Sequence, residues 1–421
     1  MSAAPLRRGA CPTLPRPMLT GDGLLARIQP ADPLSVDQLE GLASLAATLG
    51  NGILEVTARG KLQLRGLSEA SAAALPAAVA GLGIEVPTGF AVETSALAGL
   101  DPAERADPRP LARALSERAA TLLPRLAPKV SLVVDGGGSL HAGALKADIA
   151  LVADANQCWR VVLAGRTVGV VAQAHAQRLV LDLLERLAAH GPAARMDDVM
   201  AGDGAARLRD LNALAPLPRG EGAVRPDAEP VGRHRLRDGC VALGLGLAFG
   251  QVRAQTLAAL AVLARDADVR HVEPAAGRAL LLAGLAPEAS VGLERRAAEL
   301  GFITDPADPR RRVFACAGQP ACASARLETH VLAAQIAPLI AGGTLHVSGC
   351  VKGCAHPAPA TLTIVGLDEG AGLVVEGTPR DILAATLPAR IMPVAQLREA
   401  VAKAVAETLG GGKCVRKAAA R

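Results

Sequence analysis

Apolar and polar positions follow two rhythms along the first part of the chain. Gly23–Ile28 reads as a strand. Beyond it Leu39, Leu42 and Leu45 recur at three-residue spacing behind Ser35, a good N-cap, with Asp37 and Glu40 early in the run; this predicts a helix over 35–49. Gly50-Asn51-Gly52 stops that helix. Residues 53–57 and 62–67 read as strands around Arg59-Gly60, and 68–80 as a second helix. After Pro128 come strands over 130–134, 148–153 and 159–163, with the glycine turn Gly136-Gly137-Gly138 after the first, and then a helix over 172–190. Further on, the pattern predicts a helix over 323–340 and a strand over 345–347.

The opening pattern returns. Asp22-Gly23 is echoed by Asp238-Gly239, and residues 59–84 align without gaps on 277–302. Leu62, Leu64, Gly66, Leu67, Leu75, Leu82 and Gly83 face Leu280, Leu282, Gly284, Leu285, Leu293, Leu300 and Gly301. These are strand apolars and turn glycines, the residues a fold needs, so a duplicated α/β module is expected. The differences concern chemistry: Arg59, Gln63 and Arg65 stand where the second copy has Gly277, Leu281 and Ala283. Each module precedes a longer segment. The expected division is 18–88 and 233–305 for the two copies, 89–214 and 306–421 for the longer segments, and 215–232 for a linker rich in Pro, Gly and charge.

Composition narrows the classes. Half of the 421 residues are apolar, yet there is no Tyr, one Trp and four Phe, so the core is aliphatic and a flat ligand must be held by charge and backbone. The net charge of +5 is mild, and no basic run is interleaved with aromatics; no nucleic-acid partner is expected. Arg7 and Arg8 are not followed by an apolar stretch like that of a secretory signal. Nothing approaches the run of about 18 apolar residues that spans a membrane. The expected setting is the cytoplasm, without membrane attachment. There disulfides are rare, and the single Cys11, Cys158, Cys240 and Cys414 read as plain thiols.

The other four cysteines are grouped as Cys316-Ala-Gly-Gln-Pro-Ala-Cys322 and Cys350-Val-Lys-Gly-Cys354. Thiolates so grouped hold an iron–sulfur cluster. Zinc is the rival, although its knuckles use tighter C-x2-C to C-x4-C spacing. Gly318, Pro320, Gly349 and Gly353 suit wide loops whose backbone approaches a bulky group. Lys352 and His356 lie within or beside the second pair, as counter-charge, anion contact or solvated side chains. Gly136-Gly137-Gly138 matches neither a dinucleotide fingerprint nor a Walker loop. His141 and Asp148 read as iron ligands or as hydrogen-bonded loop residues.

From 18 to 397 the order of parts resembles the siroheme nitrite/sulfite reductase superfamily. Its marks are a repeated ferredoxin-like half-domain, a larger α/β segment after each copy, and C-x5-C … C-x3-C in the last segment. Thr57-Ala-Arg59-Gly-Lys-Leu-Gln63 resembles its T-x-R-x-x-x-Q tetrapyrrole-binding strand, and Lys129 lies where the family has K-x-K. Two positions depart. The second lysine is Ser131, and the family's R-N-V before P-L-A-G is Phe90-Ala-Val92 before Ala96-Leu-Ala-Gly99. Reduction of sulfite or nitrite needs those cations around the bound anion. Arg8-Gly-Ala-Cys11-Pro, Thr20-Gly-Asp-Gly23 and Val134-Asp-Gly-Gly-Gly138 with His141 instead resemble the superfamily branch that makes precorrin-3B in aerobic cobalamin synthesis.

The resemblance implies an α+β fold: a pseudo-two-fold pair of ferredoxin-like half-domains plus two larger α/β segments of the nitrite/sulfite-reductase type. It implies a 4Fe-4S cluster on Cys316, Cys322, Cys350 and Cys354, and a carboxylated tetrapyrrole bound by Arg59, Gln63, Arg65 and Lys129. The implied reaction is O2-dependent hydroxylation of precorrin-3A at C20, with lactone closure from a ring acetate. NADH, directly or through a reductase, supplies the electrons. The family also carries a non-haem iron, whose ligands the sequence does not place, and no single catalytic residue stands out. A monomer or weak homo-oligomer is expected. A siroheme-dependent sulfite or nitrite reductase and a non-catalytic tetrapyrrole carrier with a structural cluster are the alternatives.

Overall fold

The computed structural model describes residues 12–143, 145–154, 157–201, 214–216, 228–340, 342–383 and 390–409. Most of the linker, the Arg8–Cys11 motif and Cys414 lie outside them. In the first half, β1 (Met18–Thr20), β2 (Gly23–Ile28), α1 (Val36–Leu49), β3 (Ile53–Val56), β4 (Leu62–Leu67) and α2 (Glu69–Gly81) form the repeat unit. Ser35 caps α1 as expected: its Oγ accepts from Gln38 N, and the Gln38 side chain accepts from Ser35 N. There follow β5 (Val92–Thr94), α3 (Arg109–Arg118), β6 (Leu132–Asp135), β7 (Ile149–Ala153), β8 (Cys158–Leu163), β9 (Arg166–Ala172), α4 (Gln173–His190) and α5 (Met196–Met200).

The second half repeats this order. It has β10 (Gly232–Arg235), β11 (Val241–Gly246), β12 (Gln251–Arg253), α6 (Ala254–Asp266), β13 (His271–Ala275), β14 (Ala279–Leu285) and α7 (Pro287–Glu299). Then come β15 (Val313–Ala315), α8 (Thr329–Ile336), β16 (Leu345–Ser348), β17 (Ala360–Leu367), β18 (Gly370–Gly377), β19 (Arg390–Met392) and α9 (Leu397–Leu409).

The two copies interlock about a pseudo-two-fold axis. Arg59 aligns on Gly277, an offset of 218 residues, and the same offset relates contacts that join the copies. Val252 of β12 lies opposite Leu54 of β3, and Leu34 bridges Val272 of β13. Near the axis the two hairpin turns touch: Arg59 bridges Ala276, and Gly277 N donates to Ala58 O at 3.0 Å. Helix α1 packs on α6, and one aliphatic core runs through both copies, with Leu39, Leu54 and Leu64 beside Leu257, Leu260 and Leu282, all buried.

The larger segments are duplicates as well, which the sequence pattern does not reveal. In each, two parallel pairings precede two antiparallel ones, in the orders β5-β6-β7-β8-β9 and β15-β16-β17-β18-β19. The expected helix over 323–340 is shorter. Residues 323–328 are turns tied to the cysteine loops, with Ala325 N donating to Cys322 O, Arg326 N to Gly349 O and Gln319 N to Leu327 O. Helix α8 ends at Ile336, before a 3-10 turn over Ala337–Leu339 that holds Pro338, whose ring cannot continue an α-helix.

Strand alternation gives each half-domain sheet a second face outside the shared core. In the second copy that face is dry: Ala242, Ala275, Ala279, Leu281 and Ala283 pack on Leu97, Leu140 and Leu236. In the first copy the positions of Ala275, Ala279, Leu281 and Ala283 carry Thr57, Lys61, Gln63 and Arg65.

Candidate active site between the first half-domain and the cysteine loops

On β4, Leu62 and Leu64 point into the core, so Lys61, Gln63 and Arg65 share the outer face. On β2, Ala26 and Ile28 are core residues, which turns Arg27 to the same side, opposite Gln63 in the pairing register. With its amide oriented toward Arg27, Gln63 accepts from the Arg27 Nη2 at 2.9 Å and Nε at 3.2 Å. Arg65 uses three nitrogens: Nε and Nη2 donate to the two oxygens of Asp22, both at 2.8 Å, and Nη1 donates to Glu55 at 2.9 Å. The Arg65 guanidinium holds the Asp22 carboxyl below the usual carboxylate range, against the opposing effect of burial. Arg59, in the hairpin turn near the axis, makes a two-point pair with Glu93 at 3.2 and 2.6 Å and donates to Lys146 O at 3.0 Å.

Positive charge therefore accumulates. The Lys61 ammonium is lowered first by burial and then by the nearby Arg27 and Arg59, while Glu93 opposes this. Arg59 and Lys61 thus share the Glu93 carboxylate, while Arg27 faces the Gln63 amide oxygen. Arg27 and Lys61 are the residues that the sequence reading missed, although alternation with the core residues was signal enough to place both on this face. The structure brings Gln63 and Arg65 together, with Arg59 at the sheet's end. Lys129 is exposed in the turn before β6.

The cysteines border this face. Cys316 follows β15 directly and Cys350 lies just past β16; the two strands are parallel neighbours, so both loops leave the same sheet edge. Gly349 N donates to Cys316 Sγ at 3.2 Å, Thr329 Oγ1 to Cys316 O at 2.6 Å, and Ser348 Oγ to Cys350 O at 2.7 Å. Gly318 has φ 64°, and a Cβ there would lie 2.2 Å from Thr329 Oγ1, so only glycine fits. Burial raises the Cys354 thiol, and Cys316, Cys350 and Cys322 raise it further, which places the four sulfurs within electrostatic reach of one another. Lys352 opposes this rise and bonds Ser324 at 3.0 Å. His356 stacks on Phe314 with centroids 4.1 Å apart.

The loops touch the first half-domain. Ala323 N donates to Gly21 O at 3.0 Å. From α8, the half-buried His330 is lowered to about 4, chiefly by burial, with Arg253 and Arg65 adding to it. The polar face and the cysteine loops are thus neighbours.

Other candidates are occupied structurally. Asp148 is bound by both Arg195 nitrogens at 2.9 and 2.8 Å, by Ser131 N and by Met196 N. His141 accepts from Gly143 N at 3.1 Å. Among the described residues no three His, Cys, Asp or Glu side chains form a site for a single metal ion. The turn Gly136-Gly137-Gly138 is filled by protein carboxylates: a Cβ on Gly136 would lie 2.2 Å from Glu104 Oε1, and one on Gly138 would lie 2.6 Å from Asp101 Oδ2. Phe90 is buried in the core of the first larger segment, and the Ser131 hydroxyl bonds Asp148. No helix among the described residues is long and apolar enough to cross a membrane.

Known proteins resolve the family. Residues 16–81 match the nitrite/sulfite reductase ferredoxin-like half domain. A precorrin-3B synthase from Sinorhizobium sp is 41% identical over 394 residues, which is 89% of this chain and 84% of that protein. The chain belongs to the precorrin-3B synthase family. A second relative of this synthase-family chain is sulfite reductase [ferredoxin] 2 of Mycolicibacterium paratuberculosis, 30% identical over 37% of this chain and 31% of that one. Among solved structures, the NirA protein of Mycobacterium tuberculosis superposes with a TM-score of 0.71 over 94% of this chain and 82% of its own, at 18% identity. This synthase-family chain therefore has the nitrite/sulfite reductase fold, with the pseudo-two-fold α+β arrangement that its sequence implied.

Proposed function

We propose that the chain is an oxidoreductase that converts precorrin-3A to precorrin-3B with O2, hydroxylating C20 and closing a lactone from a ring acetate. One oxygen atom enters the macrocycle; the other leaves as water with electrons that originate from NADH. The observation that carries this reading is the asymmetry of two otherwise equivalent sheet faces. The second copy's face is closed by Leu97, Leu140 and Leu236, while the first copy's carries Arg27, Lys61, Gln63 and Arg65 beside the cysteine loops. A macrocycle bearing many carboxylates suits such a face.

Arg59, Gln63, Arg65 and Lys129 remain the proposed substrate contacts, joined by Arg27 and Lys61. Gln63 orients Arg27 through its amide oxygen, and Glu93 orients Arg59. Cys316, Cys322, Cys350 and Cys354 would hold a 4Fe-4S cluster. The donor set is all sulfur, it lies on two loops from adjacent strands, and a backbone N–H already points at one sulfur. When bound, the cluster supplies one-electron storage and transfer. Burial raises the Cys316 and Cys354 thiols, so binding metal there must release protons.

The relationship to a sulfite reductase favours siroheme-dependent reduction as the second reading. Phe90 in the core and Ser131 bound to Asp148 weigh against it, since both stand where that chemistry places cations. Absorption and turnover separate the two. Protein with a broad iron–sulfur shoulder, no siroheme bands, and O2-dependent consumption of precorrin-3A supports the synthase. Stoichiometric siroheme with sulfite or nitrite turnover would replace it with the reductase.

A further inference from the structure

Next to the cysteines, the β1–β2 turn Thr20-Gly21-Asp22-Gly23 is built more heavily than a hairpin requires. The Asp22 side chain is 1% exposed and accepts from four donor atoms on three residues. Arg65 contributes Nε and Nη2 at 2.8 Å each, Thr20 Oγ1 donates at 2.8 Å, and Asn51 Nδ2 donates at 3.3 Å. Gly21 lies beyond this anchor, exposed to solvent on one side and against Cys322 on the other. A Cβ at Gly21 would lie 2.2 Å from Cys322 Sγ, and Gly21 O accepts from Ala323 N. The turn therefore covers one cysteine sulfur and grips the loop that carries it.

The duplicated turn provides an internal control. Asp238-Gly239 has the same place in the second copy, but the Asp238 side chain is 45% exposed, its partner Arg270 is 59% exposed, and the counterpart of Gly21 is Arg237, whose guanidinium donates to Asp101 O and Glu104 O rather than meeting a cysteine loop. Arg65 itself has no counterpart there, because Ala283 takes its place. The buried pair exists only in the copy that touches a cysteine loop, so hairpin geometry alone does not call for it.

We infer that Arg65 and Asp22 are positioning residues that press the Gly21 turn onto Cys322 and so set the solvent exposure of the metal cluster held there. This rests on the proposed cluster assignment. Cluster potential and lability depend on charge, hydrogen bonding and solvent access around the sulfurs. Arg65, which lies on the cationic face, thereby links that face to the cysteine loop.

The experiment compares the purified holoprotein with Asp22→Asn and Gly21→Ala. Asp22→Asn keeps the side-chain shape and removes the charge on which two of the three Arg65 bonds end, leaving Glu55 on the third; Gly21→Ala pushes directly on the sulfur. Iron and sulfide per chain, the cluster's reduction potential, its EPR g-values and its bleaching rate in air are measured. Both variants should bleach several-fold faster than wild type, and Asp22→Asn should also show a more positive potential and altered g-values at full iron content. A role confined to folding would lower thermal stability and leave potential and g-values unchanged. Cluster-bearing variants with wild-type potential, g-values and bleaching overturn this inference alone. Wild-type protein lacking iron and sulfide overturns it together with the cluster assignment.

Discussion

Arg278 holds the left-handed backbone of its repeat equivalent Gly60, with φ of 63° against 71°. A side chain there carries strain that glycine does not. What keeps arginine in place is its head: the buried guanidinium donates to Val313 O and Arg311 O and lies 4.6 Å from the centre of the Phe314 ring. It thus joins the second half-domain to the strand leading to Cys316.

Two substitutions separate strain from contact. Arg278→Ala loses the head and keeps the strained backbone; Arg278→Gly loses the head and relieves the strain. The alanine variant should lose about 2–4 kcal/mol of unfolding free energy, the scale of leaving two buried carbonyls unpaired. The glycine variant should be more stable than the alanine variant by roughly 1 kcal/mol. Denaturant titration of the three proteins checks both numbers, and equal stability of the two variants would remove the strain argument.

The cationic face makes a different demand. Arg27 has an amide oxygen for its partner, whereas Arg65 is already bound to two carboxylates. Arg27→Ala should therefore weaken binding of a carboxylated tetrapyrrole by about 1.5–3 kcal/mol, the worth of a charge-assisted hydrogen bond, with little loss of stability. Arg65→Ala should lower stability as well as binding, because besides the proposed substrate contact it leaves Asp22 and Glu55 without their cation. Fluorescence or absorbance titration beside thermal melting distinguishes the two. A binding loss confined to Arg65→Ala would reverse these roles.

Much of this fold is legible in the chain because the half-domains announce themselves by local rules. Ser35 caps, Leu39 and Leu42 repeat, and Gly66 and Gly284 mark equivalent positive-φ positions late in β4 and β14, at 70° and 86°. The likeness of the two larger segments is hidden, since their buried strands specify little beyond apolarity. Long-range partners are equally invisible. The glycine turn at Gly136 matches no phosphate-binding fingerprint, and nothing local announces that Glu104, from a distant loop, fills it. The helix expected over 323–340 is shortened because Cys322, Gln319 and Gly349 bind Ala325, Leu327 and Arg326 into loops. Arg27 and Lys61 were readable from alternation, but only once β2 and β4 are set side by side.

The sealed face of the second copy can be tested by borrowing from the first. Leu281, fully buried, is the repeat equivalent of Gln63. Leu281→Gln would bury an amide against Leu97, Leu140 and Ala242, with no arginine in the position of Arg27. A loss of roughly 2–4 kcal/mol is expected from lost apolar packing and an unpaired polar group. Chemical denaturation measures it. A tolerated glutamine would mean that this face admits water or polar partners, and the contrast between the two faces would then carry less weight.

Glu104 gives the fold a pH dependence of definite sign. It is 7% exposed, and its Oε2 accepts from Gly99 N at 2.6 Å. Burial raises its carboxyl most; Asp107 and Asp101 add to the rise, and the Gly99 N–H and Arg237 oppose it, leaving a value of about 7 against an ordinary 4.5. Between those values the folded protein keeps a proton that the unfolded chain has released. Unfolding is then favoured by rising pH, so this group's contribution is complete below pH 4.5, falls as pH climbs to about 7, and stays constant above it. Each pH unit in that window is worth at most about 1.4 kcal/mol. Glu104→Gln keeps an acceptor for Gly99 and cannot ionise. The variant should match wild type near pH 5 and exceed it by about 2–3 kcal/mol at pH 8, as read from denaturant midpoints. A stability difference that does not change between those two pH values would show that Glu104 titrates in the ordinary carboxylate range, and that the Gly136 turn is held by an ionised side chain.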